Sequence, residues 1–150
     1  MAPLRNGSAE GGLGSTTLVD KALSLSRFDE AERLLSSRLS ALLARAGSAA
    51  NDTDRDAFRV ATGYALKLAE GLQKPSWLDY PFDLYMGALI LMPSDTIEAL
   101  YRIIARMRYA NPHAVHRYVA GLRASDAKWD ASERFLLQRL ESLERRIASG

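Results

Sequence analysis

Apolar residues recur along this chain at helical spacing in seven separate stretches, each bounded by a start or stop signal. Val19, Ala22 and Leu23 share one face of a first helix that begins near Thr16, where Thr17 and Asp20 resemble a weak capping box. Ser26 with Asp29 marks a second start. From there Ala31, Leu34, Leu35, Leu39, Leu42, Leu43 and Ala46 trace the clearest stripe, ending near Gly47. Only two or three residues separate these helices, so the spacing predicts an antiparallel αα-hairpin. GSAAND then reads as a loop. Thr53 or Asp54 opens a third helix, which carries Ala57, Phe58, Ala61, Tyr64, Ala65, Leu68, Ala69 and Leu72 and is ended by Gly71 and Pro75.

Ser76 with Asp79 starts a fourth helix over 77–92. Pro81 lies about one turn inside it and predicts a kink, or a short helix followed by a longer one. Pro93 stops this helix and Ser94 caps the fifth, whose face is Ile97, Leu100, Tyr101, Ile104 and Met107. Asn111 followed by Pro112 is a strong start for the sixth, with Val115, Tyr118, Val119 and Leu122 as its stripe. Asp130 with Glu133 opens the last, in which Leu136, Leu140, Leu143 and Ile147 step by four, three and four. No window alternates apolar and polar with β-branched enrichment, so strands are not expected.

These stretches predict an all-α fold of about seven short antiparallel helices, arranged as stacked helical hairpins or as an orthogonal bundle. Residues 1–15 hold four glycines and a proline and read as a flexible leader, suited to a domain attached to something larger. Residues 16–150 read as a single helical domain. Composition agrees: leucine and alanine supply 23 residues each, and both favour helices.

Chemistry enters mainly by exclusion. There is no cysteine, so disulfides, thiol catalysis and cysteine-ligated zinc are ruled out. Two histidines without an HExxH leave little for a histidine metal centre. No glycine-rich phosphate loop opens a helix and no GxSxG is present. Neither a catalytic role nor a cofactor is therefore expected. The longest apolar run, Leu84 to Met92, has nine residues, far short of a membrane span. The N-terminus lacks the charged-then-apolar order of a signal peptide, so the expected location is the cytoplasm, away from membranes. The net charge of +2 is too small for whole-chain electrostatics to argue for nucleic acid.

Charge is uneven within that total. The 99–125 stretch has five arginines (Arg102, Arg106, Arg108, Arg117, Arg123), His113 and His116, and no acidic residue. Arg102 and Arg106 share a helix face opposite the apolar stripe. One reading is a docking surface for an acidic or phosphorylated peptide or protein, using Arg102, Arg106, Arg108, His113 and Arg117. The other is a solvated face paired with acids of neighbouring helices. A second concentration is aromatic: Trp77, Tyr80, Phe82 and Tyr85 stand beside Asp79 and Asp83. Trp77, Tyr80 and Tyr85 would serve as anchors in a peptide groove, or fill the space between helices. His113 and His116 are spaced to meet one metal ion, but their helix offers no carboxylate to complete the shell. Trp129 precedes the last helix as a staple. The Leu136, Leu140, Leu143 and Ile147 seam would either pack within the chain or join a second copy as a homodimer.

Two resemblances follow from these residues. The segment LSRFDEAERLLSSRL (25–39) resembles the second half of a tetratricopeptide repeat, with the aromatic, acidic and Glu-Ala steps on Phe28, Asp29, Glu30 and Ala31. The family's Trp, Leu-Gly and Tyr positions are not met by TTLVDKALSLS. AERLLSSRLSALLARA (31–46) also aligns without gaps to SERFLLQRLESLERRI (132–147), identical at seven of sixteen positions. RFDEAERLL, YALKLAEGL and WLDYPFDLY are similar to helical regions that follow phosphothreonine-reading forkhead-associated domains in bacterial signalling or secretion regulators. The resemblances imply a non-enzymatic adaptor that binds another protein or peptide. The rival expectation is nucleic-acid binding through the 99–125 face, which the acids at both ends of the chain oppose.

Overall fold

Helices form where the stripes lie. The computed structural model describes residues 13–48, 52–109, 111–125 and 127–149. It contains α1 (Thr17–Ser24), α2 (Phe28–Ala44), α3 (Asp52–Leu72), α4 (Asp79–Ala88), α5 (Ser94–Ile104), α6 (His113–Ala124) and α7 (Ala131–Ser149). Short 3-10 turns occupy Ala46–Ser48 and Pro75–Leu78, and no strand occurs among the described residues. The fold is all-α, as the periodicity predicts. No helix among the described residues is long and apolar enough to cross a membrane. Residues 1–12 of the expected leader lie outside the described residues; Leu13 packs against the core, and the Ser15 carbonyl accepts a hydrogen bond from Arg38.

The third helix is the element around which the others gather. It buries Phe58, Ala61, Ala65, Leu68 and Ala69, and its alanines let neighbouring helices approach closely. α2, α4 and α5 all pack on it, and α1 closes on α2 as the expected hairpin. α4 packs on α6, α6 on α7, α7 on α5, and α5 back on α3. The contacts thus run in a closed circuit. Of the two architectures expected, a bundle describes this packing better than a linear stack of consecutive hairpins. An aromatic chain fills its middle. Phe58 meets Tyr85 edge-on at 5.5 Å between centroids, and Tyr118 lies 6.5 Å from both Tyr85 and Phe82.

Helix ends depart from expectation in instructive ways. α1, α3 and α4 each end with a residue in the left-handed region that is not glycine: Ser26 (φ 58), Gln73 (φ 53) and Leu89 (φ 55). At each, two backbone bonds close the last turn. After α4, for example, the Leu89 N–H reaches the Met86 carbonyl at 3.1 Å and the Ile90 N–H reaches the Tyr85 carbonyl at 3.2 Å. Ser26 is therefore spent on closing α1 and does not cap α2. Ser94 is the first residue of α5, behind Pro93, and makes no side-chain cap. Asn111 Oδ1 does accept the His113 N–H, at 3.1 Å. The box before α7 forms in full: the Asp130 N–H donates to Glu133 Oε1 at 2.9 Å, and the Glu133 N–H to Asp130 Oδ1 at 2.8 Å.

The fourth helix is shorter than the 77–92 expected. A short turn does precede a longer helix, the 3-10 turn Pro75–Leu78 leading into α4, but the break falls before Asp79 and not at Pro81. Pro81 falls in the first turn, where its missing N–H costs no intrahelical bond. The helix stops at Ala88 because Leu89 turns left-handed. Of the two roles expected for the last helix's seam, the structure shows packing within the chain: Leu140, Leu143 and Ile147 are buried in its own core.

Gly71 has a packing role that its position near a helix end does not suggest. A Cβ there would stand 2.2 Å from Phe28 Cδ1 and 2.4 Å from Cγ, so the Phe28 ring lies directly on the α3 backbone. Gly71→Ala is expected to destabilise by about 1–3 kcal/mol through overpacking. Chemical denaturation checks this, and most of the cost should vanish in a Phe28→Ala background. A second tie is polar. Glu32 of α2 accepts from Trp77 Nε1 at 2.6 Å and from Lys74 Nζ at 3.1 Å. These bonds, Trp77 foremost, hold the Glu32 carboxyl below its ordinary value of 4.5, against an upward push from burial. A carboxyl depressed in the folded state stabilises fully above its unfolded pKa and loses that contribution as pH falls through the folded one. The acid limb of stability, followed by tryptophan fluorescence, should therefore be shallower in Glu32→Gln.

Candidate interaction surfaces

The arginine-rich stretch is divided among α5 (Arg102), the connecting segment 105–109 (Arg106, Arg108) and α6, and is partly partnered. Because α5 ends at Ile104, Arg106 lies beyond the helix face it was expected to share with Arg102. Arg102, Arg106, Arg108, His113 and Arg117 are all exposed. Arg106 pairs with Glu70 of α3, Arg117 with Asp83 of α4 at 2.7 Å, and Arg123 with Glu141 of α7 at 2.5 Å. Burial pushes the Asp83 carboxyl up, Arg117 pulls it back, and Asp79 adds a smaller upward push. His116 Nδ1 lies 2.7 Å from Glu144. These are the neighbouring-helix acids of the solvated-face reading. Arg102, Arg108 and His113 make no ion pair with the described residues. Among those residues, no group of three or more His, Asp or Glu gathers as metal ligands.

The aromatic trio turns inward. Tyr80 and Tyr85 are buried, and Trp77 is half-buried, with its ring nitrogen on Glu32 and its ring 6.1 Å from that of Tyr80. Trp77 and Tyr80 are not anchors on an open groove, whereas Tyr85, though buried, lines the hollow beside the 89–93 segment. Their apolar bodies complete the core, and the hydroxyls join elements instead. Tyr80 donates to the Leu39 carbonyl of α2 at 2.7 Å and Tyr64 to Asp20 of α1 at 2.6 Å. Tyr101 donates to the Arg139 carbonyl of α7 at 2.7 Å, and Tyr109 to Asp79.

Tyr118 makes the most consequential of these links. Its hydroxyl donates to the Ile90 carbonyl at 2.7 Å and accepts the Met92 N–H at 2.8 Å. The chain between α4 and α5 is therefore held open and non-helical by a side chain of α6. Tyr85 is the exception among the six tyrosines: its buried hydroxyl has no partner. Burial pushes that phenol up to about 12. The Thr96 and Thr62 hydroxyls pull it back slightly, but neither meets it in hydrogen-bond geometry.

Holding 89–93 in this way shapes a largely apolar hollow. A groove of about 490 Å³ runs between the 89–93 segment, the start of α7 and one face of α3. Leu89, Ile90, Leu91, Pro93, Trp129 and Leu136 give it apolar walls; Arg55 and Arg59 stand on the α3 side and Glu133 on the α7 side. Arg59 is bonded to Asp95 at 2.5 Å and Glu133 is engaged in its cap, whereas Arg55 makes no ion pair with the described residues. Leu89 remains 42% exposed at the groove although its backbone conformation favours glycine. Beneath it Gly121 of α6 leaves just enough room, since a Cβ there would lie 3.2 Å from Leu89 Cδ1.

The sequence reading placed Tyr85 in an aromatic groove but did not find the wall formed by 89–93. Residues 89–92 read as the end of the fourth helix with Pro93 as its stop, and Arg55 was not singled out. The two residues that make it, Leu89 and Tyr118, carry no local signal of a turn or a clamp. No family model, curated protein or solved structure matches the chain.

Two identical substitutions should part company here. Tyr118→Phe strands the Met92 N–H and is expected to cost about 1–3 kcal/mol. Tyr85→Phe removes a hydroxyl that has no partner, and is expected to be neutral or stabilising by up to about 1 kcal/mol. Denaturant titration of both variants decides the point.

Proposed function

We propose that the chain is a non-enzymatic protein–protein interaction module, and that its groove takes an apolar segment of a partner chain flanked by carboxylates. The observation that carries this reading is Leu89. A left-handed helix cap is served best by glycine or asparagine, and a branched side chain there costs on the order of 1 kcal/mol. The fold gains some packing of this leucine on Gly121, yet leaves much of the side chain in water beside Trp129 and Leu136. An exposed apolar side chain retained at a strained position suits a surface that binds. Arg55, which makes no ion pair with the described residues, supplies positive charge at the rim, which selects acidic flanks and disfavours basic ones.

The nucleic-acid alternative draws less support from the geometry. Arg106, Arg117 and Arg123 each face an acid of another helix, so the 99–125 stretch presents far less free positive charge than its sequence implies. Phosphate backbones are bound by uncompensated cations tracking a continuous path.

Selection of a displayed random-peptide library on the whole chain tests the proposal. Enriched peptides should combine one or two large apolar residues with neighbouring Asp or Glu. Leu89→Gly and Arg55→Glu should each weaken their binding about tenfold or more, a loss of at least about 1.4 kcal/mol, without lowering the denaturation midpoint. Charge reversal at Arg102, Arg106 and Arg117 should leave that binding unchanged. Peptides that bind the Leu89→Gly protein as well as the original chain would refute the groove.

A further inference from the structure

A second hollow lies at the opposite end of α5. The last turn of that helix, the 105–109 segment and the end of α7 enclose about 400 Å³. Arg106, Arg108 and Arg146 line it together with Ile104, Met107 and Tyr109, and no acidic residue is among the described residues that line it. Sequence separates Arg146 from the other two by some forty positions, and only the packing of α7 on α5 brings it there. Arg146 also stands over the Tyr101 ring, 5.9 Å from its centroid, which orients the guanidinium without neutralising it.

The charges do not cancel locally. Of the three guanidiniums, one is offset: Arg106 bonds Glu70. Arg108 and Arg146 form no ion pair with the described residues. The C-terminal carbonyls of α5 contribute about half a negative charge and account for a cation that follows directly on that helix. They do not account for Arg146, which arrives from another helix. All three arginines are exposed, and their shared positive field over one hollow attracts an anion. Guanidinium forks match the several acceptor oxygens and double charge of a phosphate group better than a single carboxylate does. The hollow is also several times larger than a phosphate ion, and Met107 and Tyr109 in its lining suit an attached organic group.

We infer that this hollow is a binding site for a phosphate monoester, held by Arg106, Arg108 and Arg146. The site is separate from the apolar groove, and neither needs the other. The test uses the whole chain with inorganic phosphate, a phosphothreonine-containing peptide and AMP, each titrated at constant ionic strength with chloride as the reference salt. Arginine side-chain NMR resonances and thermal midpoints report binding. Expected are saturable shifts confined to the three named arginines, and tighter binding of one of the two esters than of inorganic phosphate. Which ester wins identifies the organic group. Arg108→Gln, which removes an exposed side chain, should weaken binding about tenfold while leaving the ligand-free midpoint unchanged. Arg146→Gln should act likewise, and Arg102→Gln, outside the hollow, should have no effect. Three results would overturn the inference: chloride reproducing the phosphate response, Arg102→Gln weakening binding as much as Arg108→Gln, or neither ester exceeding inorganic phosphate, which would leave an adventitious ion only.

Discussion

The structure depends on where the chain leaves α4. Apolar residues continue for four positions past Ala88, and nothing in their side chains forbids another helical turn. The stop is imposed from outside by the Tyr118 hydroxyl, which satisfies one carbonyl and one N–H of a segment that has no helix or strand to satisfy them. With 90–92 held out of the helix, Pro93 can begin a new direction and α5 can reach both α3 and α7. Had α4 run on to Met92, α5 would start elsewhere. Both hollows would be lost with it, since one has the 89–93 segment as a wall and the other the end of α5.

The same device recurs across the molecule. Helices satisfy their own backbones, so a bundle has few directional bonds with which to fix one helix against the next. Here tyrosines supply them. Tyr64 ties α3 to α1, Tyr80 ties α4 to α2, Tyr101 ties α5 to α7, and Tyr118 ties α6 to the linker before α5. Each buries an aromatic ring and spends its one donor on a defined acceptor. Apolar burial makes the bundle stable, and these bonds restrict it to one arrangement of its helices. Tyr85, which lacks such a partner, sits at the centre of the aromatic chain and is held there by packing alone.

How much of this was legible in the sequence follows from the range of each interaction. Stripes such as Leu35, Leu39 and Leu42 are local and periodic, and they located the helices and their buried faces. The Asp130 and Glu133 box is a contact between residues three apart, and it was read correctly. Left-handed caps at Ser26, Gln73 and Leu89 were not, because the usual signal is glycine and none of these is one. Gly71 was read as a helix end when its role is to receive Phe28, a contact across 43 positions of sequence. The candidate sites fared in the same way. Arginines in 99–125 were identified as a cluster, but which of them are neutralised depends on acids carried by α3, α4 and α7. Arg146 joins Arg106 and Arg108 only through tertiary packing, and no spacing rule brings it to them.

Glu133 holds two positions at once. Its carboxylate closes the first turn of α7, and the same side chain forms part of the groove wall beside Trp129 and Leu136. A segment seated there would screen that cap from water, so the turn behind it would open less often. The amide protons at the start of α7 would then exchange with deuterium more slowly. Groove occupancy would be written into the exchange rates of a helix end, where it could be read without knowing what the occupant is.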